Sequence, residues 1–260
     1  MSEFRRPQPE EVTKLPESRE PTKEIIKPPE TEQRQPVPES EGAAPRDLKA
    51  EERVAREQDQ AKIAEIRATL GLEQVEGNRD LQKYLQEYLE LKEGDVERIG
   101  LSKAKDLPKN YQEQRETLND ERLDKVTIAV IPDNLWVKGS QPSESHAEKQ
   151  LILVKQSYFE TQENPDEIAW MLHELAHCQN FLDSESAESY QKGAQTFAFE
   201  DLKAEYPYPN NQVEQSTFTK QFQYLKKQGK SREDILAMLG KYYDQEDFPF
   251  FNRLLDSIYS

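Results

Sequence analysis

The sequence predicts an α+β fold, with a small twisted sheet packed on one helix and further helices running to the C-terminus. Three observations carry this. Val126–Ile131 and Gln150–Lys155 are short, apolar, β-branched runs that read as buried strands. Beyond the second run, apolar residues recur at helical spacing to the end of the chain. The first 46 residues carry neither pattern, so the core must form downstream.

That N-terminal stretch, 1–46, holds nine of the 16 prolines, interleaved with Glu, Lys, Arg and Gln. Proline removes backbone donors and the charged residues stay hydrated, so a disordered tail is expected. Its one functional alternative is a polyproline-type ligand, which makes this region the candidate contact for a protein partner.

From Asp47 the pattern becomes helical. Ile63, Ile66 and Leu70 share one face, with Gly71 as a stop; a second helix begins near Asn78, carries Leu81, Tyr84, Leu85, Tyr88 and Leu89, and ends at Gly94. Two such stripes can cover each other, so residues 47–109 are expected to form a helical hairpin or spacer. Residues 95–124 are mixed and charged, with room for one more helix. The main domain is placed at 110–260. Within it Leu135-Trp136-Val137 is a candidate short strand, and Asn164-Pro165-Asp166-Glu167 is a candidate helix start, with Asn164 as cap and Pro165 at the first turn.

Composition narrows the function classes. Acidic residues outnumber basic ones 51 to 35, giving a net charge of −16. Phosphate backbones repel such a surface, so nucleic-acid binding through a general basic face is excluded. Cys178 is the single cysteine, so no intramolecular disulfide can form. The N-terminus lacks the apolar core of a secretory signal, and no run of about 18 apolar residues occurs, so no membrane span is expected. A cytoplasmic location follows as the expectation.

The chemistry lies in IAWMLHELAHCQ, where Ile168, Met171, Leu172 and Leu175 form the inward face. His173 and His177 are four residues apart and project from one side, one turn apart. Two imidazoles so placed can reach one zinc ion at about 2.0–2.1 Å each. Glu174, one residue past the first histidine, is positioned to take a proton from a zinc-activated water.

His173-Glu174-Leu175-Ala176-His177, on a helix that follows a strand, resembles the HExxH motif of the zincin metallopeptidases. The resemblance covers roughly residues 125–225. It implies a twisted sheet packed on the motif helix, with an edge strand that pairs with the substrate peptide. It assigns that edge role to Gln150–Lys155.

A catalytic zinc needs a third protein ligand and an open position. Asp183 stands at the metzincin third-ligand spacing, with Asn180 where that family has Gly, but the methionine turn is missing: the only later Met is Met238, in a helical run. Glu185 and Glu188 lie off the face formed by Ala187, Tyr190, Ala194, Phe197 and Ala198, as solvated residues at a helix start do. Glu214 follows the turn Tyr206-Pro207-Tyr208-Pro209-Asn210-Asn211 and leads the stripe Phe218, Phe222, Leu225. A carboxylate on an apolar stripe is costly unless paired or bound to metal, so Glu214 is the leading candidate. NNQVEQSTFTKQF is also similar to the second metal-binding helix of gluzincins, although Gln215 stands where those have Ala. By that resemblance Tyr208 is a candidate hydrogen-bond donor to the oxyanion. Packing or exposure in the turn is the plainer role for Tyr206 and Tyr208. His146 is expected at the surface and Cys178 as a buried structural thiol.

The resulting expectation is a zincin-like domain holding one Zn2+ on His173, His177 and Glu214, hydrolysing a peptide or protein substrate with Glu174 as general base. Two rivals stand beside it: an inactive zincin scaffold that binds partners through its N-terminal region, and a hydrolase of non-peptide amides.

Overall fold

The computed structural model describes residues 78–92, 94–137, 142–160, 169–202 and 207–260, together with the backbone of 73–74. The Pro-rich tail, the helix expected around Ile63–Leu70, the start expected at Asn164–Glu167, Ile168 and Tyr206 lie outside these residues.

The fold is α+β, with helices on both faces of a mixed sheet. Its strands are β1 (Glu73–Gln74), β2 (Gly100–Lys103), β3 (Thr127–Ile131), β4 (Ser143–His146) and β5 (Leu151–Lys155). They lie in the order β1-β2-β3-β5-β4, and the central β3–β5 pair is parallel while the others are antiparallel. Two covered faces explain why β3 and β5 are apolar at nearly every position. On one face Ile128, Val130, Ile152 and Val154 pack with Trp170, Met171, Leu175 and Cys178 of the motif helix. On the other, Ala129, Ile131, Leu151 and Leu153 pack with Leu85, Leu89 and Ile99. Each fully buried aliphatic side chain stabilises the fold by roughly 1.5–3 kcal/mol relative to exposure.

Three expectations change here. β5 is an internal strand; the edge beside the motif helix is β4, whose polar sequence SESH gives no strand signal of its own. Leu135-Trp136-Val137 forms no strand, because Pro132 and Asp133 start a 3-10 turn over Asp133–Leu135 instead. The helix Arg79–Tyr88 starts beside Asn78, its N-cap, as expected, but it ends at Tyr88 rather than at Gly94 and covers the sheet rather than another described helix. With β2 also in the sheet, the described part of the expected spacer packs in one core with residues beyond 110.

The motif helix spans Trp170–Asp183. Ala169 precedes it in a left-handed conformation (φ 54°), unusual for a residue with a Cβ. The first-turn amide of Leu172 donates to Gln114 Oε1 at 3.0 Å, from the helix Lys109–Thr117, so one orphan donor is satisfied across the core.

A third group of helices, Gln212–Lys227, Arg232–Leu239 and Phe248–Tyr259, closes on the far side of the motif helix. Leu172, Phe218, Phe222, Ile235, Phe250, Phe251 and Leu255 form its core. No helix among the described residues is long and apolar enough to cross a membrane.

Candidate metal centre

The two helices that carry the site are locally well specified. Asn211 is the N-cap of Gln212–Lys227, its Oδ1 accepting from Glu214 N at 2.9 Å. That places Glu214 in the first turn, where a carboxylate is also favoured by the helix dipole. The stripe below it, Phe218, Phe222 and Leu225, is buried and locks the helix against Leu172. Asn180, on the motif helix, receives Lys220 Nζ at 2.9 Å and Ser216 Oγ at 3.1 Å, and donates to Thr217 Oγ1 at 3.0 Å. These bonds fix the register of one helix on the other.

That register brings His173, His177 and Glu214 together, close enough to hold a metal ion. The Nε2 atoms of the histidines lie 3.2 Å apart, and each is 3.5 Å from Glu214 Oε2. All three side chains are nearly inaccessible to solvent, at 10–12% exposure. Glu214 Oε2 is buried with no hydrogen-bond partner. An orphaned carboxylate oxygen aimed at two imidazoles is what a cation would satisfy.

The outer ring nitrogens are held by neutral groups. His173 Nδ1 is 3.0 Å from Gln221 Oε1, and His177 Nδ1 is 3.3 Å from the Tyr190 hydroxyl. When the outer nitrogen of each ring carries the proton, the inner nitrogen offers its lone pair to the centre. Burial, reinforced by neighbouring His177, pushes His173 down to about 4, so it is neutral at physiological pH. Burial opposes charge on His177 as well, but the Glu214 carboxylate more than offsets it and its pKa rises. Glu214 is held below the ordinary carboxylate range, its burial overcome by the two histidines.

Glu174 lines the same cleft as this cluster. Its Oε1 accepts from Ser143 Oγ of β4 at 2.7 Å, and burial pushes its pKa up. The cleft, about 320 Å³, is lined by residues of β4 and by Trp170, Phe218, Leu239, Tyr208, Tyr242 and Tyr243. Tyr208 as a whole residue is 43% exposed, yet its hydroxyl lies 3.3 Å from that of Tyr243 and burial raises its pKa, keeping it protonated.

The competing acids lie elsewhere. Asp183 pairs with Arg122 at the surface end of the motif helix. Glu185 and Glu188 are exposed, Glu188 in the first turn of the helix Ala187–Gln195, which ends short of Phe197 and Ala198. Cys178 is a buried free thiol, and burial pushes its pKa up. His146 departs from expectation: its side chain is only 13% exposed and its Nδ1 is 2.8 Å from Tyr84 Oη.

Several site residues went unmarked in the sequence. Gln221 shares the Glu214 stripe, seven residues on, and Tyr190 sits on the presumed apolar face of its helix. Polar groups at helical spacing from a ligand are the signal that would have found them. Ser143 and Tyr243 carry no such local signal. No protein-family model, curated protein or solved structure matches this chain.

Proposed function

We propose that this chain is a zinc-dependent metallopeptidase with a zincin-like domain, in which His173, His177 and Glu214 hold one zinc ion and Glu174 is the general base. The observation that carries this is the buried Glu214 Oε2, which has no hydrogen-bond partner and lies 3.5 Å from both Nε2 atoms, with a second carboxylate, Glu174, lining the same cleft. Two imidazole nitrogens and one carboxylate oxygen make a zinc donor set, and three protein ligands rather than four are the count of catalytic sites. Zinc bound there supplies a Lewis acid for the scissile carbonyl and lowers the pKa of water to about 7.

The chain's own groups do the rest. Glu174 accepts a proton from the attacking water and passes it to the departing amine, so that two peptides leave. Ser143 Oγ holds Glu174 Oε1 from β4. Tyr208 and Tyr243, both kept protonated, stand in the cleft wall as donors for a developing oxyanion. Strand β4, with β5 on one side and no other described strand opposite, is the edge along which an extended peptide would pair. The net charge of −16 favours a neutral or basic substrate segment.

The test uses the full chain. Purified protein should hold about one zinc and cleave a peptide mixture, and Glu174→Gln should keep the zinc while losing ~10²–10⁴-fold in rate. Zinc without hydrolysis would support an inactive scaffold that acts by binding. Cleavage confined to non-peptide amides would support the other rival.

A further inference from the structure

Strand β4 is a weak element in a demanding place. It is four polar residues long and pairs with β5 alone among the described strands. Edge strands of this kind fray readily. Yet its inward face carries the hydroxyl that holds the general base: Ser143 Oγ donates to Glu174 Oε1 at 2.7 Å, and Ser145 lines the same cleft.

Strand alternation sends Glu144 and His146 to the opposite face. The register agrees, since Ser143 and Ser145 lie across from Val154 and Ile152, which pack toward the motif helix. Glu144 and His146 lie across from Leu153 and Leu151, which pack toward the helix Arg79–Tyr88. There two tyrosines grip the strand. Tyr88 Oη donates to Glu144 Oε1 at 2.5 Å, and Tyr84 Oη is 2.8 Å from His146 Nδ1. The tyrosine rings stack on each other at 5.6 Å, as residues four apart on a helix do. The His146 ring stands edge-on to both, at 5.6 and 4.5 Å. The helix that presents them is fixed by Leu85 and Leu89, both fully buried under the sheet.

We infer that Tyr84 and Tyr88 are positioning residues that clamp β4 from behind and so hold Glu174 in place from across the sheet. The role of Glu174 as base rests on the proposed peptidase function; the clamp itself does not. It gives the segment Asn78–Leu89 a part in the site although it does not line the cleft.

The test is the double variant Tyr84→Phe, Tyr88→Phe in the full chain, which keeps both rings and removes both hydroxyls. Two readouts need no activity. Amide exchange in Ser143–His146 should accelerate about tenfold relative to β3 and β5, and the carboxyl-carbon resonance of Glu174, assigned through Glu174→Gln, should move. Zinc content should not change. In zinc-loaded protein kcat should fall about tenfold with little change in KM, as misplacement of a catalytic group does. The control is Ile235→Ala, which destabilises a core away from that helix and from β4 and keeps the clamp, and a general loss of stability would show equally in it. Unchanged β4 exchange in the tyrosine variant overturns the clamp. Faster exchange with an unmoved Glu174 resonance overturns the link to the base. A parent chain that binds zinc but cleaves nothing defeats the peptidase reading alone, and the exchange and resonance results still decide the clamp.

Discussion

Glu214→Gln separates a metal ligand from a buried ion pair. The variant keeps side-chain volume and leaves the Asn211 cap on the backbone amide intact. In the absence of metal it removes a buried carboxylate, one oxygen of which has no hydrogen-bond partner. Loss of that desolvation cost offsets loss of attraction to His177, so metal-free stability should stay within about 1 kcal/mol of the parent. Zinc should then split the two proteins. At free zinc 100 times the parent Kd, binding stabilises the parent by about 2.7 kcal/mol. If the variant binds about a hundredfold more weakly, the same zinc gives it only ~0.4 kcal/mol. The difference of ~2.3 kcal/mol corresponds to a gap of about 5–9 °C in Tm for a domain of this size. Thermal unfolding with and without zinc reads it directly. An equal zinc-induced shift in parent and variant would refute the assignment of Glu214.

Two further predictions concern stability. Phe222→Ala removes a fully buried ring from the cluster that sets the Glu214 helix on the motif helix, and should cost about 3–5 kcal/mol by denaturant unfolding. A cost under 1 kcal/mol would mean that this cluster does not hold the helix. Asp120 is bonded by the Arg122 guanidinium, which holds its carboxyl down at about 2. A depressed carboxylate contributes stability above its ordinary pKa of 3.8 and loses it as pH falls toward 2. Because Arg122 is about half exposed, solvent screening keeps the contribution small. Asp120→Asn should therefore be less stable than the parent at neutral pH, and the two should converge near pH ~2 in acid unfolding curves. Parallel curves would contradict the pairing.

The parts of the molecule that were legible in the sequence are those written in local periodicity. His173 and His177 needed only the helical repeat, and Glu214 stood out because a charge led an apolar stripe. The buried strands β3 and β5 announced themselves by β-branched runs. What depends on contacts between distant segments was not legible. Strand β4 is polar throughout and is a strand because β5 pairs with it, so the edge role fell at first on the wrong segment. His146 looked like a surface residue because its partners, Tyr84 and Tyr88, lie about sixty residues away in sequence. Gln221 carried no mark of its own and Tyr190 read only as part of an apolar face, because their effect is felt only through the histidines beside them. The apolar stripe of Arg79–Tyr88 was read correctly, but its cover is the back of the sheet, and a stripe alone does not name what packs on it.

The central claim is a metal centre made from one helical turn and one distant carboxylate. Anomalous diffraction at the zinc edge from crystals of the full chain tests it most directly. The account predicts a single peak within about 2.0–2.2 Å of His173 Nε2, His177 Nε2 and a Glu214 carboxylate oxygen. A zinc peak elsewhere, or none at these side chains in zinc-supplemented crystals, would contradict it.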